Sequence, residues 1–147
     1  MPKLDIDIVT AERVVYSEQE VDEIIAPGTE GEFAVLPRHA AFMTMLVPGV
    51  VVIRKGGGET EMAISGGFVE VRENRVVVVA DSAERSEEID AERAEAARRR
   101  AEEQLKVRPG AVDLARTTAA LQRSLARLKA LERRRRRPGG GPRPGGP

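Results

Sequence analysis

Cysteine is absent from this chain, and histidine occurs once, at His39. Without thiols there are no disulfides, no thiolate nucleophile and few routes to a structural zinc site, which fits a reducing cytoplasm. A single histidine leaves a zinc centre to carboxylates and a Ser-His-Asp arrangement to His39 alone, so a structural or interface role for His39 is the stronger reading and no catalytic or metal site is assigned. Aromatics are scarce, with three Phe, one Tyr and no Trp. That removes the stacking surfaces on which single-stranded nucleic acids are held. A net charge is also missing: 24 Lys and Arg balance 24 Asp and Glu, so no global field draws the chain to nucleic acid or to an acidic membrane. The N-terminal MPKLDIDIVTAERVV has no continuous apolar core of the signal-peptide kind. No stretch approaches the ~20 apolar residues of a membrane span. The chain is expected to be soluble, and free to dock on something that is itself embedded in a membrane.

What is present divides the 147 residues into a β-rich domain over 1–86, a helical arm over 87–137 and a Pro/Gly/Arg tail over 138–147. From Leu4 to Ile8 apolar and polar residues alternate, the period of a strand with one buried face. Val14 to Tyr16, Glu23 to Ala26, Glu32 to Leu36, Val50 to Arg54, Glu61 to Ser65, Phe68 to Arg72 and Val76 to Ala80 follow as short apolar runs between Gly, Pro and Asn. Met43 and Met45 alternate as strand residues do and are expected in the core. Gly56-Gly57-Gly58 and Arg72-Glu73-Asn74-Arg75 read as hairpin turns. No helical pattern interrupts this region, so an antiparallel β-sandwich is favoured over a βαβ fold.

Near residue 86 the composition switches to Ala, Glu, Arg and Leu, which favour helix. Asp90 and Glu92 stand where the positive end of a helix favours acids, and the pairs Glu95 with Arg99 and Arg98 with Glu102 have the four-residue spacing of helical ion pairs. Pro109-Gly110 stops this helix. From Val112 to about Glu132 a second helix is predicted, with Leu114, Thr118, Leu121, Leu125 and Leu128 as a continuous seam. The first helix offers mainly Ala94, Ala97 and Ala101, each burying little apolar area at ~25 cal/mol per Å². So short a hairpin is weakly self-contained and gains by docking on a larger surface, which makes it a movable arm in expectation. The Arg133 to Arg137 run and the apolar-poor tail beyond it point to a disordered end at 138–147.

Three blocks carry a family resemblance. Gly28-Thr29-Glu30-Gly31-Glu32-Phe33-Ala34-Val35-Leu36-Pro37-Arg38-His39-Ala40 resembles the G-x-x-G-x-x-x-x-L-P-x-H-A signature of the epsilon subunit of bacterial F-type ATP synthases. Ile64-Ser65-Gly66-Gly67-Phe68-Val69-Glu70-Val71 resembles its S-G-G-F-x-E-V segment, and Ala80 to Arg85 leading into Ile89-Asp90-Ala91-Glu92-Arg93-Ala94 resembles its sandwich-to-helix junction. The blocks stand in the family's order and spacing, and the likeness covers residues 3 to about 132. One departure is a loop reading Pro37-Arg38-His39-Ala40-Ala41 where many members have Pro-Gly-His-x-Pro, so a different backbone is expected there.

The resemblance implies a ten-stranded sandwich bound to the gamma subunit and the c-ring, with Glu30, Glu32 and His39 at that contact. It implies a non-catalytic rotor subunit of the central stalk, peripheral at the cytoplasmic face of the cell membrane, whose arm restrains ATP hydrolysis by reaching toward the alpha and beta subunits. Members with the Ile-Asp-x-x-Arg-Ala motif bind ATP, and the matching positions here are Glu84, Ile89, Asp90, Arg93, Ala94, Arg100, Arg123 and Arg127. Arg93, Ala97 and Arg100 share one helix face, so several guanidinium groups can converge on a triphosphate, with or without Mg, as a regulatory ligand rather than a required cofactor. The plainer reading of the same arginines is a solvated face with intrahelical partners. Arg116, Arg123, Arg127, Lys129, Arg133 and Arg134 would meet acidic segments of the beta subunits, or act simply as a solubilising cap. A basic nucleic-acid-binding module on a β scaffold is the competing class.

Overall fold

The computed structural model describes residues 2–106 and 111–136, except for the side chains of 111–113. The expected stop at Pro109-Gly110 and the expected disorder of 138–147 lie outside the described residues. Ten strands come first: β1 (Leu4–Val9), β2 (Val14–Val21), β3 (Glu23–Gly28), β4 (Gly31–Val35), β5 (Phe42–Leu46), β6 (Gly49–Lys55), β7 (Gly58–Ile64), β8 (Gly67–Arg72), β9 (Arg75–Ala80) and β10 (Ala83–Arg85). A short 3-10 turn, Ser86–Glu88, leads to helices α1 (Ala91–Lys106) and α2 (Ala111–Arg136).

The strands form one sheet in the order β10-β7-β6-β3-β5-β8-β9-β1-β2, with β4 on β3. Between β3 and β5 the ladder narrows to the single pair Gly28 and Leu46, and there the sheet folds over on itself as a sandwich. Pairing is antiparallel with one exception: β1 runs parallel to β9. Both expected turns are in place, Gly56 and Gly57 with φ of 57° and 83°, and Glu73 and Asn74 with φ of 50° and 62°. Two positive-φ residues suit the two-residue hairpin because their twist matches that of the strands they join.

Leu4, Ile6, Ile8, Ile24, Val51, Ile53, Met62, Ile64, Val69, Val71, Val76 and Val78 fill the space between the layers. The methionine expectation is corrected. Met43 and Met45 are 61% and 58% exposed, because β5 turns Leu46 inward and these two outward. Gly67 explains the Gly-Gly pair of its motif. Its φ is +142°, and a Cβ there would lie 2.0 Å from the Val79 carbonyl oxygen. Arg38 has φ of 71°, the left-handed conformation that glycine adopts without strain, and its N–H donates to Asn74 Oδ1 at 2.6 Å. The loop thus carries the arginine in a glycine-like backbone.

β6 is buried on both faces from Gly49 to Ile53, and α2 provides the second cover. Ala126 and Ala130 of α2 sit on Val50, Val52 and Ala63, with Ile25 and Ile89 alongside. The small helix side chains let the backbone approach the sheet. This corrects the leucine seam: Leu114 and Leu125 are exposed, while the α2 positions that bury are Thr117, Ser124, Ala126, Ala130 and Leu131. An apolar sheet face, rather than the partner helix alone, selected the face of α2. In α1, Ala94 and Ala101 are buried. Arg98 pairs with Glu102 at 2.8 Å and also with Glu95, so Glu95 takes Arg98 in place of the expected Arg99. No described helix is long and apolar enough to cross a membrane.

Candidate functional site

The candidate site lies where the sandwich hands over to the arm. β10 pairs with β7 so that Glu84 stands opposite Ala63. Opposed residues in a ladder project to the same face, and Ala63 faces α2. Glu84 therefore points at the arm. Its Oε1 accepts a hydrogen bond from Arg127 Nε at 2.8 Å and a second from the same guanidinium, joining the last strand to α2.

Beyond Glu84 the chain makes its tight turn, with the Arg85 N–H donating to Glu88 Oε1 at 3.3 Å. Asp90 then caps α1: its Oδ1 accepts from the N–H groups of Glu92 at 3.0 Å and Arg93 at 3.2 Å. A carboxylate here satisfies helix-terminal donors and favours the positive end of the helix dipole. The cap fixes where α1 starts, and so which way Arg93 and Arg100 project.

The result is an open cleft of about 330 Å³ lined by Glu84, Glu88, Ile89, Asp90, Arg93, Ala94, Ala97, Arg100 and Arg127, within the size range of small-molecule sites. Of the eight positions read from the sequence as nucleotide contacts, Arg123 alone stands outside this lining. It borders a much smaller adjoining recess with Ser65, Ser82, Glu84 and Arg127. Glu88, unremarked in the sequence, joins the wall through the turn that precedes α1. Three arginines and three acids face the cleft, but Glu84 is held by Arg127, Asp90 by the helix end and Glu88 by the Arg85 N–H. Among the described residues Arg93 and Arg100 are exposed and no intramolecular acid occupies them.

The other predicted contacts spread over the surface. Glu30 lies in the β3–β4 turn, and His39 follows the Arg38 loop, its ring edge-on to Phe42 at 5.7 Å with Nδ1 2.8 Å from the Ala40 carbonyl oxygen. Glu32 and Lys129 share a groove of about 430 Å³ between the sheet and α2, floored by Pro27, Val47, Pro48 and Gly49. Arg116 is exposed on α2. Arg133 lies 3.5 Å from Glu59, and Arg134 is half-buried. Sequence reasoning missed an apolar row on the outer face of the second layer. Register places Met45 beside Phe68, Phe68 beside Val79 and Val79 beside Val9, and Met45 and Phe68 are exposed. The period-2 pattern of β5 carried that signal, but nothing in it told which face was inside.

Comparison with known proteins gives a consistent picture. Residues 3–86 match the family described as the ATP synthase delta/epsilon chain, beta-sandwich domain, and residues 87–132 match its long alpha-helix domain. An ATP synthase epsilon chain of Dehalococcoides mccartyi is 54% identical over 140 residues, 94% of this chain and 99% of that one. One of Moorella thermoacetica is 50% identical over 131 residues, covering 88% and 97%. Among solved structures, a chain of the Euglena gracilis mitochondrial ATP synthase (OSCP/F1/c-ring) superposes with a TM-score of 0.78 at 26% identity, over 89% of this chain and 82% of that one. A chain of the Tetrahymena thermophila mitochondrial ATP synthase (central stalk/c-ring) shares the fold, with a TM-score of 0.59 at 15% identity.

Proposed function

The chain belongs to the ATP synthase delta/epsilon family, and from that premise we propose that it is a non-catalytic rotor subunit whose helical arm is controlled by bound ATP. The subunit sits peripherally on the cytoplasmic face of the cell membrane, in the central stalk of a proton-translocating F-type enzyme. The sandwich joins gamma to the c-ring, and the arm, once extended toward alpha and beta, restrains ATP hydrolysis.

The single observation that carries the control chemistry is the cleft at the junction, where Glu84 from β10, Asp90 at the cap of α1, Arg93 and Arg100 from α1, and Arg127 from α2 face one space. A triphosphate spanning it would draw charge-assisted hydrogen bonds from both helices at once, which favours the folded arm over any state that separates them. Arg93 and Arg100 supply uncommitted cations, while Glu84 and Asp90 offer acceptors to ribose or base. Among the described residues the cleft has no glycine-rich loop leading into a helix, so it fits holding a nucleotide rather than hydrolysing one.

Two outer faces of the sandwich divide the remaining contacts. α2 covers that of β6 and β7, whereas the row Met45, Phe68, Val79 and Val9 lies open and suits an apolar partner such as gamma. Glu30 in the β3–β4 turn, Glu32 on β4 and His39 in the Pro37–Ala41 loop are the positions where the c-ring would meet the sandwich. The basic side chains of α2, Arg116, Arg123 and Arg134 on one face and Lys129 on another, suit acidic segments of beta once the arm extends.

Isothermal titration of the full chain with MgATP tests the cleft. Saturable heat with one site per chain is expected, weakened at least tenfold by Arg93→Ala, which removes a charge-assisted contact of roughly 1.5–3 kcal/mol. No heat at millimolar nucleotide, or an unchanged isotherm for Arg93→Ala, overturns it.

A further inference from the structure

Away from the cleft, the C-terminal half of α2 lies over a charge cluster that the nucleotide reading does not use. Glu59 and Glu61 are two apart on β7 and so share its outer face, the face α2 covers. Glu61 is fully buried and accepts a hydrogen bond from the Ser86 hydroxyl at 3.1 Å. Arg54, opposite Glu59 on β6, donates from Nε to Glu59 at 2.9 Å and from a terminal nitrogen to Glu23 at 2.7 Å. From the arm, Arg133 brings Nε to 3.5 Å of Glu59 Oε1, with side chains 29% and 16% exposed.

Within this cluster the sandwich brings Glu23, Glu59 and Glu61 together with Arg54, and the arm adds the Arg133 cation beside Glu59. Burial pushes the Glu59 carboxyl up, but the hydrogen bond from Arg54, the charges of Arg133 and Arg54 and a hydrogen bond with Glu61 outweigh it and hold it below the ordinary glutamate range. Arm docking and the ionised state of Glu59 therefore support each other. If α2 lifts away, the Glu59 carboxylate loses this cation.

We propose that Glu59 and Arg133, beside the buried Glu61, form an electrostatic latch that holds α2 on the sandwich without nucleotide and opens when an acidic partner segment competes for Arg133. The latch deepens the reading of the arm as movable and rests on it. It also gives the first arginine of the terminal run two alternative partners, an intramolecular glutamate in the folded arm and a partner's carboxylates in the extended one.

Amide hydrogen exchange of residues 122–132 in the nucleotide-free full-length chain tests it. Raising salt from about 0.02 to about 0.5 M should speed exchange roughly three- to fivefold, as expected for a partly exposed ion pair. Glu59→Gln and Arg133→Gln should each give that acceleration at low salt, and the double variant no more than either. Glu18→Gln, whose partner Lys55 lies away from α2, should change nothing. Arg133→Gln lies near the end of the arm and leaves the sandwich core untouched, so it keeps the test valid should Glu59→Gln fold poorly. Unchanged exchange in Arg133→Gln, or effects of the two substitutions that simply add, overturns the latch. Failure of MgATP to slow α2 exchange in the Arg133→Gln chain would count against the nucleotide reading alone.

Discussion

Arg38 holds φ of 71° in a loop where glycine is the unstrained choice. A left-handed non-glycine residue costs about 1–2 kcal/mol, and introducing glycine returns part of that as extra freedom in the unfolded chain. Arg38→Gly is therefore expected to stabilise the sandwich by roughly 0.5–1 kcal/mol in urea unfolding, provided Asn74 keeps its bond to the position-38 N–H. Gly67 shows the opposite case. A methyl group there would run into the Val79 carbonyl and the Ala80 Cα, so Gly67→Ala should cost roughly 3 kcal/mol or more, by the strain and overpacking that account for the large mutational losses. The S-G-G-F motif is in this sense a backbone requirement: only a residue without Cβ lets β8 pass so close to β9.

Among the elements, α2 meets two surfaces with different faces. Toward the sheet it presents Ala126 and Ala130, whose small size sets the spacing to Val50, Val52 and Ala63. Ala130 is fully buried, and Ala130→Leu should weaken docking by about 1–3 kcal/mol through overpacking, seen as faster α2 hydrogen exchange with an unchanged sandwich. The second layer carries its own test at Phe68. Phe68→Glu on the open outer face should leave the melting temperature nearly unchanged while abolishing co-purification with gamma; retained binding would place gamma elsewhere. The latch also defines a pH response. Because the Glu59 carboxyl lies below its ordinary value near 4.3, the stability it lends is complete above that value and is lost as pH falls through the lower folded-state value. Arm docking should be level from about pH 5 to 8 and loosen only in stronger acid, as read by α2 exchange corrected for intrinsic rate.

At the level of the whole molecule, the sandwich core draws on residues from Leu4 to Ala80, with Ala83 packed against it and, among the described residues, none of α1 or α2. Removing residues 88–147 should thus leave a folded sandwich that still binds gamma, exposing Val50, Val52 and Ala63, and should raise ATP hydrolysis by the reconstituted assembly. An unchanged hydrolysis rate would remove the inhibitory role from the arm. The order of the parts was legible from local chemistry: alternation marked the strands, Gly and Asn the turns, and Ala-, Glu- and Arg-rich composition the helices. Facing was less legible. Met43 and Met45 have the alternation of core residues, and the leucine stripe of α2 has the spacing of a buried seam, yet both methionines and Leu114, Thr118 and Leu125 of the stripe are exposed, because period alone fixes which residues share a face and not which face is covered. The nucleotide candidates were readable by likeness to the family's motifs, whereas Arg133 stands more than 70 residues beyond Glu59 and Glu61 in the sequence and carries no local signal of their meeting. What the sequence determined by itself is the division into strands and helices, the positions that demand glycine or a cap, and the family, since each depends on neighbours along the chain. What only the tertiary structure decided is which helix face docks on β6 and β7, which sheet face stays open, and which arginines are already paired, since those follow from surfaces that exist only after the chain has folded.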